Sequence, residues 1–353
     1  MITVGVDAHK TVHVGVALNE AGEVVGRWSG GNTVAEWERF QAWLADLGDE
    51  RQVGIEGAGS YGYGLAQALV AVGETVLEVN SRLTALGRRH ARRQGKSDAL
   101  DAQAVAEIVR REGTSLPHVG YDEQASILAH LAEERESLVS EATRVRNRLH
   151  ALLLKVDPEY KRNAPSLRSK RVIAELRTYE SGSAPTGLKG ELVASVRRQA
   201  SRLNDLLIAV EELGEQIEAR AVRYQPLTQI TGISYLTAGT LAGILGKHTA
   251  FRTDAQLASY AGVAPLEASS AGNGRYRLSR AGNRRLNAII YRIAVAQLRY
   301  PGQAKTFVEK KVSQGHSKRE AIRSLKRYIV RAIWQQWKLC PPSVAPQTSS
   351  ACL

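Results

Sequence analysis

The order of strand-like and helix-like segments in the first 80 residues constrains the fold more than any other feature of the chain. Three runs rich in β-branched residues predict an antiparallel meander over about 2–7, 12–18 and 23–28. A helix, a strand, a second helix and a further strand follow, predicted over about 34–47, 53–56, 61–72 and 75–79. This is the order of an RNase H-like α/β domain, in which the fourth strand lies beside the first.

Four carboxylates stand where this order brings chain segments together. Asp7 ends the first strand, Glu56 ends the fourth, and Asp98 and Asp101 open a predicted helix after the fifth, with Ser97 as its cap. Taken singly, each has a bland explanation, because Asp often ends a strand and the helix dipole favours acids in a first turn. Together at one end of a sheet they would repel one another unless hard cations neutralised them. The set therefore predicts Mg²⁺ ligands at Asp7, Glu56, Asp98 and Asp101, suited to phosphate chemistry.

Basic residues and one histidine accompany these acids. His9 and Lys10 follow Asp7 closely enough to contact a phosphate, although for His9 we favour the alternative of a turn residue with no chemical role. A run of cations precedes the acidic helix, which is either a solvated helix face or, as we favour, a surface that binds a nucleic-acid backbone. Its members are Arg82, Arg88, Arg89, Arg92, Arg93 and Lys96.

Residues 121–224 show a different pattern, two apolar stripes that alternate steps of three and four. The first runs through Leu128, Leu131, Arg135, Leu138, Ala142, Val145, Leu149, Leu152 and Val156. The second runs through Leu192, Val196, Gln199, Leu203, Leu206, Val210, Leu213 and Ile217. They predict a coiled-coil helical hairpin that aids assembly, with a short helix over about 167–178 between its arms; two ordinary amphipathic helices are the alternative.

The excess positive charge lies in one C-terminal block. The chain carries a formal charge of +13, yet residues 271–338 hold 17 Lys and Arg against only Glu309 and Glu320. The remainder has 31 basic and 33 acidic residues. A block of +15 predicts a polyanion partner, most simply nucleic acid.

Several classes of protein are excluded. The two cysteines, Cys340 and Cys352, lie in a Pro/Ser-rich tail, which leaves no disulfide framework and no zinc cluster. The N-terminus lacks the pattern of a signal peptide, and no apolar run approaches the roughly 20 residues that span a bilayer. We expect a soluble intracellular protein without a membrane partner.

The C-terminal region is predicted to be helical from about 225 to 338, with a disordered tail over 339–353. Its first motif, Leu227-Thr-Gln-Ile-Thr-Gly-Ile-Ser234, resembles a helix-hairpin-helix whose turn at Gly232 offers backbone N–H groups to phosphate. Ser234 replaces the usual second glycine, so a plain glycine-containing helix junction is the alternative. With residues 1–120 as the first domain, the chain divides into three domains and a tail.

A second C-terminal motif places two serines in a segment of small residues. Ser269 and Ser270 follow Gly262-Val-Ala-Pro265, and from spacing alone they are loop residues, because no His or Lys is fixed beside them as a base. The arginines that follow are placed to hold phosphates: Arg275, Arg277, Arg280, Arg284 and Arg285.

The ordered set of motifs resembles a known family. Asp7…Glu56…Asp98-x-x-Asp101, a helical middle, and Gly262-Val-Ala-Pro265…Ser270…Gly282-Asn-Arg-Arg-Leu286 are similar to the DEDD transposases of bacterial insertion sequences, specifically the insertion-sequence 110 family. The resemblance covers about residues 2–338. No single motif is decisive, whereas the order of all of them is highly specific.

The resemblance implies a fold, a reaction and partners. In that family the first domain has the Holliday-junction resolvase (RuvC-like) fold, its four acids bind Mg²⁺, and a C-terminal serine attacks DNA and becomes covalently joined to it. Counted from Gly262 and Pro265 that serine is Ser270, whereas counted back from Gly282 it is Ser269; we favour Ser270. Ala271 stands where the family commonly has glycine.

The resemblance further implies double-stranded DNA partners, namely element ends and target, chosen by a structured noncoding guide RNA. We expect a homo-oligomer, a dimer or tetramer, in the bacterial cytoplasm and associated with the nucleoid. The leading hypothesis is a transposase that cleaves and rejoins DNA. The alternatives are a Holliday-junction-type metal-dependent endonuclease without a covalent serine intermediate and a non-catalytic nucleic-acid-binding scaffold.

Overall fold

The computed structural model of the protein describes residues 1–81, 83–84, 97–120, 122–160, 166–180, 186–246, 250–267, 276–278 and 282–341. The chain forms two compact units, one made of Met1–Ser126 together with Arg223–Leu353 and the other of Ile127–Val222. The middle third of the sequence is therefore a unit of its own. The first and last thirds share the other unit, although about 100 residues separate them along the chain.

A five-stranded mixed sheet forms the N-terminal part of the first unit. Its strands are β1 (Ile2–Ala8), β2 (Val12–Leu18), β3 (Val24–Gly31), β4 (Arg51–Glu56) and β5 (Val76–Val79). They lie in the order β3-β2-β1-β4-β5. The meander β1–β2–β3 is antiparallel, whereas β4 runs parallel to both β1 and β5. The predicted adjacency of the first and fourth strands is confirmed.

Helices cover both faces of this sheet. Helices α1 (Val34–Asp46) and α2 (Tyr63–Ala71) bury apolar side chains against one face. Helix α3 (Asp98–Glu112) packs on the other face, where its Val105 and Val109 join the side chains of β5. Because β1 and β4 are covered on both faces, they read as continuous apolar runs in the sequence, not as alternating ones.

Helix α3 approaches β1 so closely that only glycine fits at the point of contact. A Cβ atom built on Gly5 would lie 2.1 Å from the backbone nitrogen of Ala106 and 2.3 Å from the carbonyl oxygen of Ala102. Neither backbone atom can move aside as a flexible side chain could. Gly5 therefore sets the distance between the strand and the helix.

Replacing Gly5 with alanine should push α3 away from the sheet. Overpacking of a filled core costs about 1–3 kcal/mol, and here backbone atoms must move, so we expect a loss at the upper end of that range in the free energy of unfolding. Urea denaturation measures it. Gly59→Ala is the matched control, because a Cβ at Gly59 meets nothing within 4 Å. Equal stability of the two variants would contradict the close approach.

Among the described residues, the second unit contains three helices. They are α4 (Glu123–Val156, which begins in the first unit), α5 (Lys170–Arg177) and α6 (Gly187–Ala221). The predicted short helix between the long arms is confirmed as α5, and its Val172, Ile173 and Leu176 fill the core between the arms. The seam residue Arg135 donates from Nε to the carbonyl oxygen of Val210 at 3.2 Å, which joins the two long helices at one register.

The C-terminal part of the first unit is helical, as predicted, with one addition. Its helices are α7 (Gln225–Thr228), α8 (Tyr235–Leu245), α9 (Asp254–Tyr260), α10 (Arg284–Gln297), α11 (Gln303–Ser313) and α12 (Lys318–Trp337). The addition is a two-stranded antiparallel ladder that the sequence did not reveal, β6 (Pro265–Glu267) with β7 (Tyr276–Leu278). Of the predicted disordered tail, residues 342–353 lie outside the described residues.

Two further sequence predictions concern the surface and the tail. No helix among the described residues combines the length and apolar character needed to cross a bilayer. Cys340 is a buried free thiol, and burial raises its pKa to about 11, so it is unreactive at neutral pH.

Candidate metal site and nucleic-acid interface

Asp7 and Glu56 are neighbours across the sheet. The parallel pairing of β1 with β4 sets Asp7 directly opposite Glu56, each at the carboxyl end of its strand. The chain then leaves β4 through Gly57, whose φ of +76° lies in the left-handed region that side chains disfavour. Two acids from distant parts of the sequence are thus about 5 Å apart in the backbone.

The first turn of α3 brings two more carboxylates to this end of the sheet. Ser97 caps the helix as predicted, with Oγ accepting from the N–H of Leu100 at 3.4 Å. Asp101 is buried, with 8% of its surface exposed, whereas the side chain of Asp98 is 60% exposed. The inner acid therefore faces the sheet and the outer acid faces solvent.

His9 is part of this cluster, although from the sequence we expected it to be a turn residue with no chemical role. Its Nε2 lies 3.0 Å from Oδ2 of Asp7 and 3.6 Å from Oδ1 of Asp98. Asp7, His9 and Asp98 can each offer one ligand atom within 4.8 Å of the others. The spacing Asp7-x-His9 after a strand was the available signal, but a sequence does not show which way a turn side chain points.

The surroundings of Asp7 disfavour its ionised form. Burial raises the pKa of Asp7, and the negative charges of Asp101 and Asp98 raise it further, while His9 acts in the opposite direction. A cation between these groups would remove the repulsion. Carboxylate oxygens are the donors that hard divalent ions prefer, so the donor set fits such an ion.

Asp7→Asn should stabilise the metal-free protein at neutral pH. The folded-state pKa of Asp7 is raised, so its ionisation penalises folding, and that penalty grows as pH rises through the folded pKa. In EDTA at pH 7.5 we expect a rise in Tm of about 2–4 °C, which shrinks as pH falls toward the unfolded pKa of about 4. Asp49→Asn, at an exposed turn, is the control. A lower Tm for Asp7→Asn in EDTA would contradict the repulsion.

The other predicted site residues divide into those the structure places and those it does not. Gly232 lies in the turn before α8 with φ +91° and packs on Ile293 and Ala296 of α10. Arg284 and Arg285 are the first two residues of α10, and Arg277 belongs to β7. Outside the described residues lie Arg82, Arg88, Arg89, Arg92, Arg93, Lys96, Ser269, Ser270, Arg275 and Arg280.

The cations of residues 271–338 fall into two groups, those that pair with other helices and those that are exposed to solvent. Arg327 donates to Asp254 at 2.8 Å, and Lys326 is buried with its Nζ against Oδ1 of Asn287, so these cations hold the helices together. Others on α10, α11 and α12 are exposed, namely Arg284, Arg292, Lys305, Lys310, Lys318, Arg319, Arg323 and Arg331, as is Arg299 just after α10. A polyanion could reach this second group.

Comparison with known proteins finds two family models that match this chain. The family model of DEDD transposases of the IS110 type matches residues 4–158, which include the acids and all of the sheet except Ile2 and Thr3. The model of the "Transposase IS116/IS110/IS902 family" matches residues 224–309, and together the two cover more than half of the chain. This protein, in which a mixed sheet carrying carboxylates is joined to a basic helical region, is therefore a DNA transposase. The chain belongs to the IS110 family of DEDD transposases.

Relatives that match between 59% and 94% of the chain support the assignment. The uncharacterized 44.8 kDa protein of insertion element IS116 from Streptomyces clavuligerus is 25% identical, over 94% of both chains. The transposase for insertion sequence element IS1328 from Yersinia enterocolitica is 24% identical over 69% of this chain and 72% of its own. The transposase for element IS1111A from Coxiella burnetii is 30% identical over 59% and 56%. Membership implies dependence on a divalent metal ion, for which Asp7, His9 and Asp98 offer ligands.

Proposed function

We propose that this transposase cleaves and rejoins DNA with a Mg²⁺ site on an RNase H-like, RuvC-like domain and a serine nucleophile in the C-terminal region. The observation that carries the proposal is the convergence of Asp7, Glu56, Asp98 and Asp101 on one end of the sheet. Strand pairing, helix capping and the electrostatics of Asp7 all support that convergence. The sheet order is that expected of the RNase H-like class.

The four acids are proposed ligands of the same ion site and differ in their exposure to solvent. Asp7, Glu56 and Asp101 would bind Mg²⁺ from partly or fully buried positions, and the exposed Asp98 would complete the set on the solvent side. When bound, Mg²⁺ supplies charge that activates a nucleophile and stabilises a leaving oxygen. His9 lies within hydrogen-bond reach of Asp7 and can accept or return a proton there.

Ser270 is the proposed nucleophile. Its Oγ attacks a phosphodiester of DNA, an O–P bond to serine forms, the P–O bond to one deoxyribose breaks, and the proton passes to the leaving oxygen. The ester keeps the free energy of the broken phosphodiester, so the reverse attack by a DNA hydroxyl can rejoin strands without ATP. Hydrolysis would discard that free energy.

A covalent protein–DNA adduct separates this reaction from simple nuclease action. On labelled DNA with Mg²⁺, the wild type should give a protein–DNA band in denaturing electrophoresis that Ser270→Ala loses and Ser269→Ala keeps. Asp101→Asn or EDTA should abolish strand cleavage altogether. The reverse serine result would move the nucleophile to Ser269. Cleavage without any covalent band would leave the alternative, a Holliday-junction-type metal-dependent endonuclease in which water attacks.

The exposed cations of α10–α12 are the proposed DNA-binding surface. The exposed Arg284 and the half-buried Arg285 stand at the N-terminus of α10, where the helix dipole also favours a phosphate. The turn at Gly232, in a helix-hairpin-helix-like element, and the arginines flanking the serines would add backbone contacts. A structured noncoding RNA of the element would select the DNA partners, because phosphate contacts alone carry no sequence information.

Neutralising two of these cations should weaken the salt dependence of DNA binding. The slope of log K against log salt changes by about 0.9 for each phosphate of duplex DNA that the protein neutralises, so Arg284→Gln/Arg285→Gln should flatten it by about 2 units at most. Titration of labelled DNA across salt concentrations measures the slope. Arg171→Gln/Arg198→Gln, on exposed positions of the second unit, should leave it unchanged. The opposite pattern would place the phosphate-binding surface on the helical unit.

We also propose that the protein acts as a homo-oligomer at the nucleoid. Recombination between two duplexes cuts four strands, each cut needs one serine, and each chain supplies one nucleophile, so more than one chain is needed. Light scattering on the complex with paired DNA ends should give a protein mass of two or four chains of 38.5 kDa. A single chain per active complex would contradict this assembly.

A further inference from the structure

Gly262 and Gly282, which flank the segment carrying Ser269 and Ser270, are in close backbone contact. A Cβ on Gly282 would lie 2.3 Å from both the Cα and the nitrogen of Gly262, so only a glycine fits there. The backbone N–H of Asn283 donates to the carbonyl oxygen of Tyr260 at 2.6 Å. Residues 263–281, which include both candidate serines, therefore start and finish at one point.

A second asparagine holds the same point from the side of the helices. Asn287 donates from Nδ2 to the carbonyl oxygen of Ala261 at 2.7 Å, and its Oδ1 accepts from Nζ of the buried Lys326. Because a lysine ammonium can only donate, the orientation of this amide is fixed. The base of the segment is thus attached to α10 and α12.

Hydrogen bonds between side chains connect this base to the sheet. Asn283 caps α10, with Oδ1 accepting from the N–H of Leu286 at 3.0 Å, so its Nδ2 must face the Tyr260 hydroxyl, 3.0 Å away. That hydroxyl accepts from Asn283 and keeps its own hydrogen to donate to the carboxyl group of Glu78. Glu78, Tyr260 and Asn283 thus form one directed network.

The network ends on the sheet that carries the acids, with the side chain of Glu78 on the face opposite to those of Asp7 and Glu56. Glu78 is on β5 and pairs with Ile55, which pairs with Val6, the residue before Asp7. Two strand spacings separate Glu78 from Val6, about 10 Å. Burial raises the pKa of Glu78 and of Tyr260, while the hydrogen bond between them lowers the pKa of Glu78 and raises that of Tyr260.

Backbone contacts dock the same region on the sheet edge. Leu77 of β5 bridges to His118, and the N–H of His118 donates to the carbonyl oxygen of Ala250 at 3.3 Å. The ring of Phe251 packs on Tyr260 with centroids 5.1 Å apart. The hydroxyl of Tyr260 is therefore not needed to keep its ring in place.

We propose that Glu78, Tyr260 and Asn283 are positioning residues that lock the base of the serine segment to the sheet carrying the acids of the same chain. The inference rests on the proposed serine function and adds residues to it. Tyr260 and Asn283 touch no reacting atom; they set where residues 263–281 begin and end. A displacement of 1 Å in such a site can cost about a hundredfold in rate.

Tyr260→Phe tests the lock by removing one hydroxyl. We expect the single-turnover rate of adduct formation to fall about 10- to 100-fold, with DNA affinity and Tm close to those of the wild type. Glu78→Leu should match it, Glu78→Gln should restore most of the rate because its amide oxygen still accepts, and Tyr260→Phe/Glu78→Leu should be no slower than either alone. Tyr224→Phe, a buried tyrosine stacked on Trp337, is the control.

Limited trypsin digestion tests the same lock without activity. Cleavage after Arg275 and Arg280 in free protein should be about five to ten times faster in Tyr260→Phe and Glu78→Leu, the factor that one hydrogen bond provides, and unchanged in Tyr224→Phe. Unchanged digestion would overturn the positioning role, as would a loss of rate in Glu78→Gln as large as in Glu78→Leu. Faster digestion of the two variants, when the wild type forms no adduct, would preserve the lock and reject the serine reaction.

Discussion

The contact on which the rest of the structure depends is the approach of α3 to β1 at Gly5. Side chains cannot enter between the two backbones, so the helix lies directly on the strand and its first turn reaches the strand's carboxyl end. Asp101 is thereby buried beside Asp7, and the parallel pairing of β1 with β4 adds Glu56. One glycine in a strand fixes the spacing of acids that come from three separate parts of the sequence.

The apolar core stabilises this arrangement, whereas the repulsion among the acids destabilises it. An apolar core on both faces of β1 and β4 keeps the strand ends in place, while the acids at those ends repel one another and raise the pKa of Asp7. The repulsion is the physical reason for proposing a cation, and His9 relieves only part of it. At β5, a hydrogen-bonded network of Glu78, Tyr260 and Asn283 joins the sheet to the segment that carries the serines.

The sequence predicted what local periodicity and strand order determine. The meander, β4 beside β1, the short helix α5 and the cap at Ser97 are confirmed, because each follows from neighbouring residues or from a fold class with one strand order. The contacts of His9 with Asp7 and Asp98 were not predicted, because side-chain direction in a turn has no sequence pattern. The docking of Tyr260 on Glu78 joins residues 182 positions apart, and no periodicity reports a contact of that kind. Gly282 and Asn283 were read as a family motif, whereas the structure shows a close backbone approach and a helix cap.

The central claim, a divalent-ion site built by these acids, is tested most directly by anomalous diffraction from crystals grown with Mn²⁺. The ion's scattering marks its position without relying on activity, on DNA or on the guide RNA. We expect at least one anomalous peak within about 2.5 Å of carboxylate oxygens of Asp7 and of Glu56 or Asp101, and none in crystals of Asp7→Asn. Well-ordered carboxylates with no peak between them at saturating Mn²⁺, or a peak bound only by other residues, would contradict it.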